Sequence, residues 1–189
     1  VVLSSGDRPR QLSMLVYGAS LTLLFAVSAV YHLRAWAPAR SRVLRRLDHV
    51  GIFVLIAATY TPIAFNVLSG WWRVGMLGAV WGAALAGAGT AVAGVQLRRW
   101  TRAGLYVGMG WIALAALGQV AAALPWPAIG LLIAGGVLYS AGALLYARRW
   151  PDVWPRVFGY HEVFHLLTIA AATAFYVLVV VYVLPAPRP

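Results

Sequence analysis

Six apolar runs, separated by short stretches where Pro, Gly, Trp and Arg collect, set the pattern of this chain. They cover residues 11–33, 49–68, 74–97, 103–124, 127–147 and 160–184. A helix rises about 1.5 Å per residue, so about 20 apolar residues cross the hydrocarbon core of a bilayer. The breaks fall at 35–46, Ser69-Gly70-Trp71-Trp72, Arg98-Arg99-Trp100, Pro125-Trp126-Pro127 and 148–156, with the composition expected of connections. The pattern predicts an all-α integral membrane protein with six transmembrane helices, residues 1–189 forming a single transmembrane helical domain. The opening Val1-Val2-Leu3-Ser4-Ser5-Gly6 reads as the tail of another apolar run, so one more helix is expected ahead of residue 1. Small residues recur at helical spacing in Gly78-x-x-x-Gly82 and Gly104-x-x-x-Gly108, which reads as close helix packing.

Composition agrees with the pattern. Hydrophobic residues make up 62% of the 189 and charged residues 10%, against about 45–50% and about 25% in soluble domains. Seven of the nine Trp (36, 71, 72, 100, 126, 150 and 154) sit at or near the ends of runs, as an interfacial aromatic belt requires. With no Cys there is no disulfide, thiolate metal site or Cys nucleophile. All 15 basic residues are Arg, so no Lys can form a Schiff base and a retinal-binding pump or sensor is excluded.

A net charge of +11 raises nucleic acid as a partner, but the Arg fall in clusters between membrane runs, so the charge is a topology signal and no nucleic acid is expected. Three loops on one side carry eleven of them: Arg34, Arg40, Arg42, Arg45 and Arg46; Arg98, Arg99 and Arg102; Arg148, Arg149 and Arg156. The other side carries Arg8, Arg10, Arg73 and Arg188. The richer side is therefore expected in the cytoplasm and the C-terminus outside, in a multipass protein of the cell membrane.

That topology places every histidine at the cytoplasmic end. His32 closes the first run, Asp48 and His49 open the second, and His161, Glu162 and His165 open the sixth. His161 and His165 are one helical turn apart, so both imidazoles can reach one metal ion. Ionisable groups at the head of a membrane helix are functional candidates by default. The plainer alternatives are residence in the headgroup zone, or service to the helix N-terminus by capping and dipole interactions. A catalytic zinc site usually has three protein ligands and an open position, and His32 is the natural third. Ser28 faces the same side one turn before His32, where its hydroxyl can orient a ligand or water, or simply bond back to its own helix. Asp48 can hold or deprotonate a water, or serve as an N-cap. His49 is turned about 100° from Asp48 and reads as a neighbour rather than a ligand.

With these residues assembled, the chain resembles the hemolysin III family, relatives of the adiponectin and progestin membrane receptors. Ser28-Ala29-Val30-Tyr31-His32 matches that family's S-x-x-x-H. Leu47-Asp48-His49, running into Ala58-Thr59-Tyr60-Thr61-Pro62, matches its third helix, and His161-x-x-x-His165 its last. The resemblance spans the chain in order, with the family's first helix absent. It implies a seven-helix bundle and a Zn2+ ion held by His32, His161 and His165, with Asp48 contacting the metal through water and Ser28 nearby. The family is also similar to membrane ceramidases, which implies hydrolysis of a lipid amide and membrane lipids as partners.

Three functions follow. The first is a zinc-dependent hydrolase of a membrane lipid, with Asp48 and Ser28 as its catalytic groups. The second is a non-enzymatic receptor-like or membrane-permeabilising protein. The third is an intramembrane metalloprotease, because His161-Glu162-x-x-His165 fits H-E-x-x-H and Leu47-Asp48 resembles the L-D-G of site-2-type proteases. Two departures count against the third: the Leu-Asp precedes the histidines, and His49 replaces the Gly.

Overall fold

Helices supply the regular structure of the computed structural model, which describes residues 6–154 and 157–189. Residues 1–5, read above as the tail of a preceding run, and Arg156, counted among the loop arginines, lie outside the described residues. The helices are α1 (Arg8–His32), α2 (Pro38–Val67), α3 (Gly70–Val92), α4 (Arg99–Trp111), α5 (Leu117–Ala123), α6 (Trp126–Arg148) and α7 (Tyr160–Val177). A 3-10 segment, Ile112–Ala116, joins α4 to α5 as one span, and α7 continues in π-helical form over Leu178–Val183. Among the described residues there is no strand, only an isolated bridge between Trp154 and Phe158. Among the described residues six helical spans are long and apolar enough to cross a membrane, as the runs predict.

The chain divides into two compact units. The first runs to Gln96 and includes Arg188 and Pro189; the second is Leu97–Pro187.

In the first unit α2 is central, packed by α1 and α3. It starts at Pro38, eleven residues before the expected 49, so most of the 35–46 break is helical. Pro at the first helical position presets φ and gives up only an N–H that lacks an intrahelical partner anyway. The basic stretch is therefore two helical turns, not a loop. One of its arginines reaches the end of the next helix: Arg46 Nη1 donates to the Val92 carbonyl at 3.2 Å, covering an orphan acceptor of α3. At the opposite end of this unit lies a polar cluster. Asn66 is 0% exposed; its amide donates to Ser13 Oγ at 3.2 Å and the Pro62 carbonyl at 2.7 Å, and accepts from Arg10 Nε at 3.1 Å. Asp7 caps α1 through Arg10 N (3.1 Å) and takes Arg188 Nη1 at 2.6 Å.

In the second unit α6 packs against α4 and α7. Trp111 lies against the bare backbone of Gly136 and donates its indole N–H to Ser140 Oγ at 2.9 Å. Trp81, in the first unit, likewise donates to Thr61 Oγ1 at 3.1 Å. These two tryptophans, which lie away from the run ends and are half-buried, thus satisfy their polar atom against a hydroxyl.

The glycines predicted to bring helices together do not. Among the described residues a Cβ at Gly78, Gly82, Gly104 or Gly108 would meet nothing within 4 Å. Close approach happens instead where an aromatic ring occupies the space a Cβ would take: Phe53 at Gly87 and Phe175 at Gly135. Glycine spacing alone does not say which bare face receives a ring.

Candidate metal centre

The histidine pair is built by the start of α7. Gly159, in an extended conformation, precedes the first helical residue, Tyr160. Glu162 Oε2 accepts the Gly159 N–H at 2.9 Å, covering one of the donors left over at a helix start. The carboxylate is exposed and turned to its own helix end. Capping, the plainer of the two roles available to Glu162, is the one its geometry displays.

One turn apart on α7, His161 Nε2 and His165 Nε2 face each other at 2.9 Å, both half-buried. That separation suits a hydrogen bond between one protonated and one bare ring nitrogen. It also suits a shared ion. Two imidazole nitrogens about 2.0–2.1 Å from zinc at a tetrahedral angle stand roughly 3.3 Å apart, so a small outward swing of either ring admits the metal. The donor set, neutral imidazole, is the kind zinc prefers.

Aromatic side chains fix the two rings. Tyr146, in the last turn of α6, stands edge-on to His161 (5.6 Å between centroids) and also touches Tyr160 (5.8 Å) and Phe164 (5.1 Å). Phe164 leans on His165 at 5.5 Å. The Arg99 guanidinium, at the first position of α4, lies 5.9 Å from the Tyr146 centroid, in the range of a cation–π contact. Rings held on several sides are pre-oriented, which lowers the entropy lost when both engage one ligand. Sequence reasoning did not reach Tyr146 or Arg99; nothing in their spacing relates them to the histidines.

The other expected site residues belong to the first unit. His32 is the last residue of α1, exposed, with its ring 4.6 Å from that of Tyr31. Ser28 lies one turn earlier, half-buried. Thr22, Thr59 and Thr61 bond back to the carbonyl four residues before them, whereas Ser28 Oγ makes no such bond among the described residues. Asp48 is half-buried in the third turn of α2. It is therefore not the N-cap; that position belongs to Ala37, because the helix continues ten residues ahead of Asp48. His49 donates Nδ1–H to the Arg45 carbonyl at 2.6 Å, a bond within its own helix.

The family model described as haemolysin-III related matches residues 1–176. The "Hemolysin-3 homolog" of Bacillus subtilis is 29% identical over 93% of this chain and 79% of its own length. "Hemolysin-3" of Bacillus cereus is 31% identical over 90% and 74%. The "Heptahelical transmembrane protein ADIPOR2" of rice (Oryza sativa subsp. japonica) is 34% identical over 90% and 81%.

Proposed function

Since the chain belongs to the haemolysin-III-related family of multipass membrane proteins, we propose that it is a zinc-dependent hydrolase of a membrane lipid amide. His32, His161 and His165 hold the metal. The observation that carries this reading is the convergence of His161 Nε2 and His165 Nε2 to 2.9 Å at the head of a membrane-spanning helix. Two imidazoles at that depth are costly unless ligated or paired.

Zinc held there would polarise the scissile carbonyl and acidify a water to a pKa of about 7. Asp48 would take a proton from the attacking water as its oxygen bonds to the carbonyl carbon, and return it to the amine nitrogen as the C–N bond breaks, a general-base and then general-acid role. Its position inside α2 supports this, since a carboxylate spent on an N-cap would be turned to its own backbone. Ser28, which makes no back-bond to its helix among the described residues, directs its hydroxyl to the carbonyl oxygen. Tyr146 and Phe164 keep the imidazoles in place.

A non-enzymatic reading is the second, and the names of the relatives, hemolysins and heptahelical proteins, favour it. The protease reading is weaker, because Glu162 is occupied at its helix start.

The experiment joins metal content to turnover. Purified protein should carry about one zinc by elemental analysis, falling to a small fraction in His32→Ala, His161→Ala and His165→Ala but not in His49→Ala. Wild type should release fatty acid from at least one amide-linked lipid in detergent or vesicles. Zinc retained by His32→Ala would sink the three-histidine centre. Zinc without release from any lipid would put the non-enzymatic reading ahead.

A further inference from the structure

Hydroxyls in membrane helices normally bond to the carbonyl one turn back, since hydrocarbon offers no water. Thr22, Thr59, Thr61 and Thr173 do this, at 2.8–3.0 Å. Thr168 does not. Its Oγ1 is buried from solvent and has no hydrogen-bond partner among the described residues. A buried hydroxyl without a partner is rare and calls for an explanation.

Its place on the helix suggests one. Thr168 is seven residues beyond His161 and three beyond His165, the spacings that keep residues on one face of a helix. It therefore lies on the face of α7 that carries the histidine pair, one turn further from the helix start and about 4.5 Å deeper along the axis than His165. An acyl chain entering the membrane from a carbonyl at the histidines runs past this level within its first few carbons.

We propose that Thr168 is a specificity-determining residue of the histidine site. Its hydroxyl hydrogen-bonds a β-hydroxyl on the acyl chain of the ligand, so the substrate class is an amide-linked β-hydroxyacyl lipid. The inference rests on reading the histidine pair as the centre that receives a lipid carbonyl. A chain without the β-hydroxyl leaves Thr168 Oγ1 unpartnered; a chain with it completes the pair. Sites that hydrogen-bond a ligand hydroxyl discriminate against the analogue lacking it far better than apolar pockets discriminate by size.

The test uses two non-hydrolysable ketones in which CH2 replaces the amide N–H: a myristoyl analogue and its β-hydroxymyristoyl counterpart. Affinity for the full-length, zinc-loaded protein is measured in detergent. Wild type should bind the hydroxylated ketone about tenfold more tightly, the scale of one hydrogen bond. Thr168→Ser should keep the preference. Thr168→Val, which keeps the shape and loses the hydroxyl, should abolish it while binding the plain ketone as wild type does. Thr168→Ala serves if the Val variant melts early. Equal affinities in wild type, a preference that survives Thr168→Val, or binding of neither ketone would overturn the proposal. Amine release from the parent amides is read separately. A preference without hydrolysis removes the catalytic reading and leaves Thr168 in place; hydrolysis without a preference removes Thr168 alone.

Discussion

Two carboxylates compete for the same role, and their surroundings separate them. Glu162 accepts the Gly159 N–H at 2.9 Å and is exposed; Asp48 is half-buried within α2. Asp48→Asn should retain zinc and fold but lower lipid-amide hydrolysis by about 10²–10⁴-fold, the usual cost of losing a general base. Glu162→Gln should lower it by less than about tenfold, since an amide oxygen can still cap the helix. Fatty-acid release from the two purified variants checks both. Full activity in Asp48→Asn with none in Glu162→Gln would reverse the roles and revive the H-E-x-x-H mechanism. At this scale the sequence is legible where spacing does the work. His161 and His165 announce themselves because one helical turn joins them whatever the rest of the chain does. Tyr146 and Arg99 do not, because the meeting of Tyr146 with His161, and of Arg99 with Tyr146, depends on how α4, α6 and α7 pack. Thr168 was within reach of the same arithmetic as the histidines, but residue type does not say where a hydroxyl finds its partner.

The spans were readable from their apolar length, and the exceptions have identifiable causes. The start of α2 escaped because residues 38–48 carry four arginines and little apolar periodicity; only Pro38, the residue type that suits a helix start, marks it. The 3-10 segment Ile112–Ala116 escaped because its residues are as apolar as those on either side. Packing glycines escaped for a related reason. Gly87 lies beneath the Phe53 ring, which is 2% exposed, so a methyl added there strikes the ring. Gly78, on the same helix, has open space beside it. Gly87→Ala should therefore destabilise the protein by about 1–3 kcal/mol through overpacking. Gly78→Ala should be neutral or slightly stabilising, since Ala gains up to about 1 kcal/mol in helix propensity. Thermal midpoints of the two variants in one detergent make the comparison. An equal loss in both would mean that Gly78 also meets a neighbour, and would restore the small-residue reading of α3.

For the whole molecule the open quantity is orientation, which charge alone decides. Arg40, Arg42, Arg45 and Arg46 occupy the first turns of α2, and Arg99 and Arg102 the first turn of α4. Cations at a helix N-terminus oppose its dipole, at a cost of some tenths of a kcal/mol each. A bundle keeps them there when that end faces anionic lipid, which is worth about 1 kcal/mol per Arg near a cytoplasmic leaflet and outweighs the dipole. On that argument the start of α2 is expected in the cytoplasm and the link between α2 and α3 outside. The chain has no Cys, so single substitutions report cleanly. Ala39→Cys, Ser69→Cys and Pro187→Cys all lie at exposed positions. In intact cells a membrane-impermeant maleimide should label Ser69→Cys and Pro187→Cys, and should reach Ala39→Cys only after lysis. Labelling of Ala39→Cys from outside would invert the protein. It would move the end of α1 that carries His32 to the outer face and direct the search for a substrate to the outer leaflet.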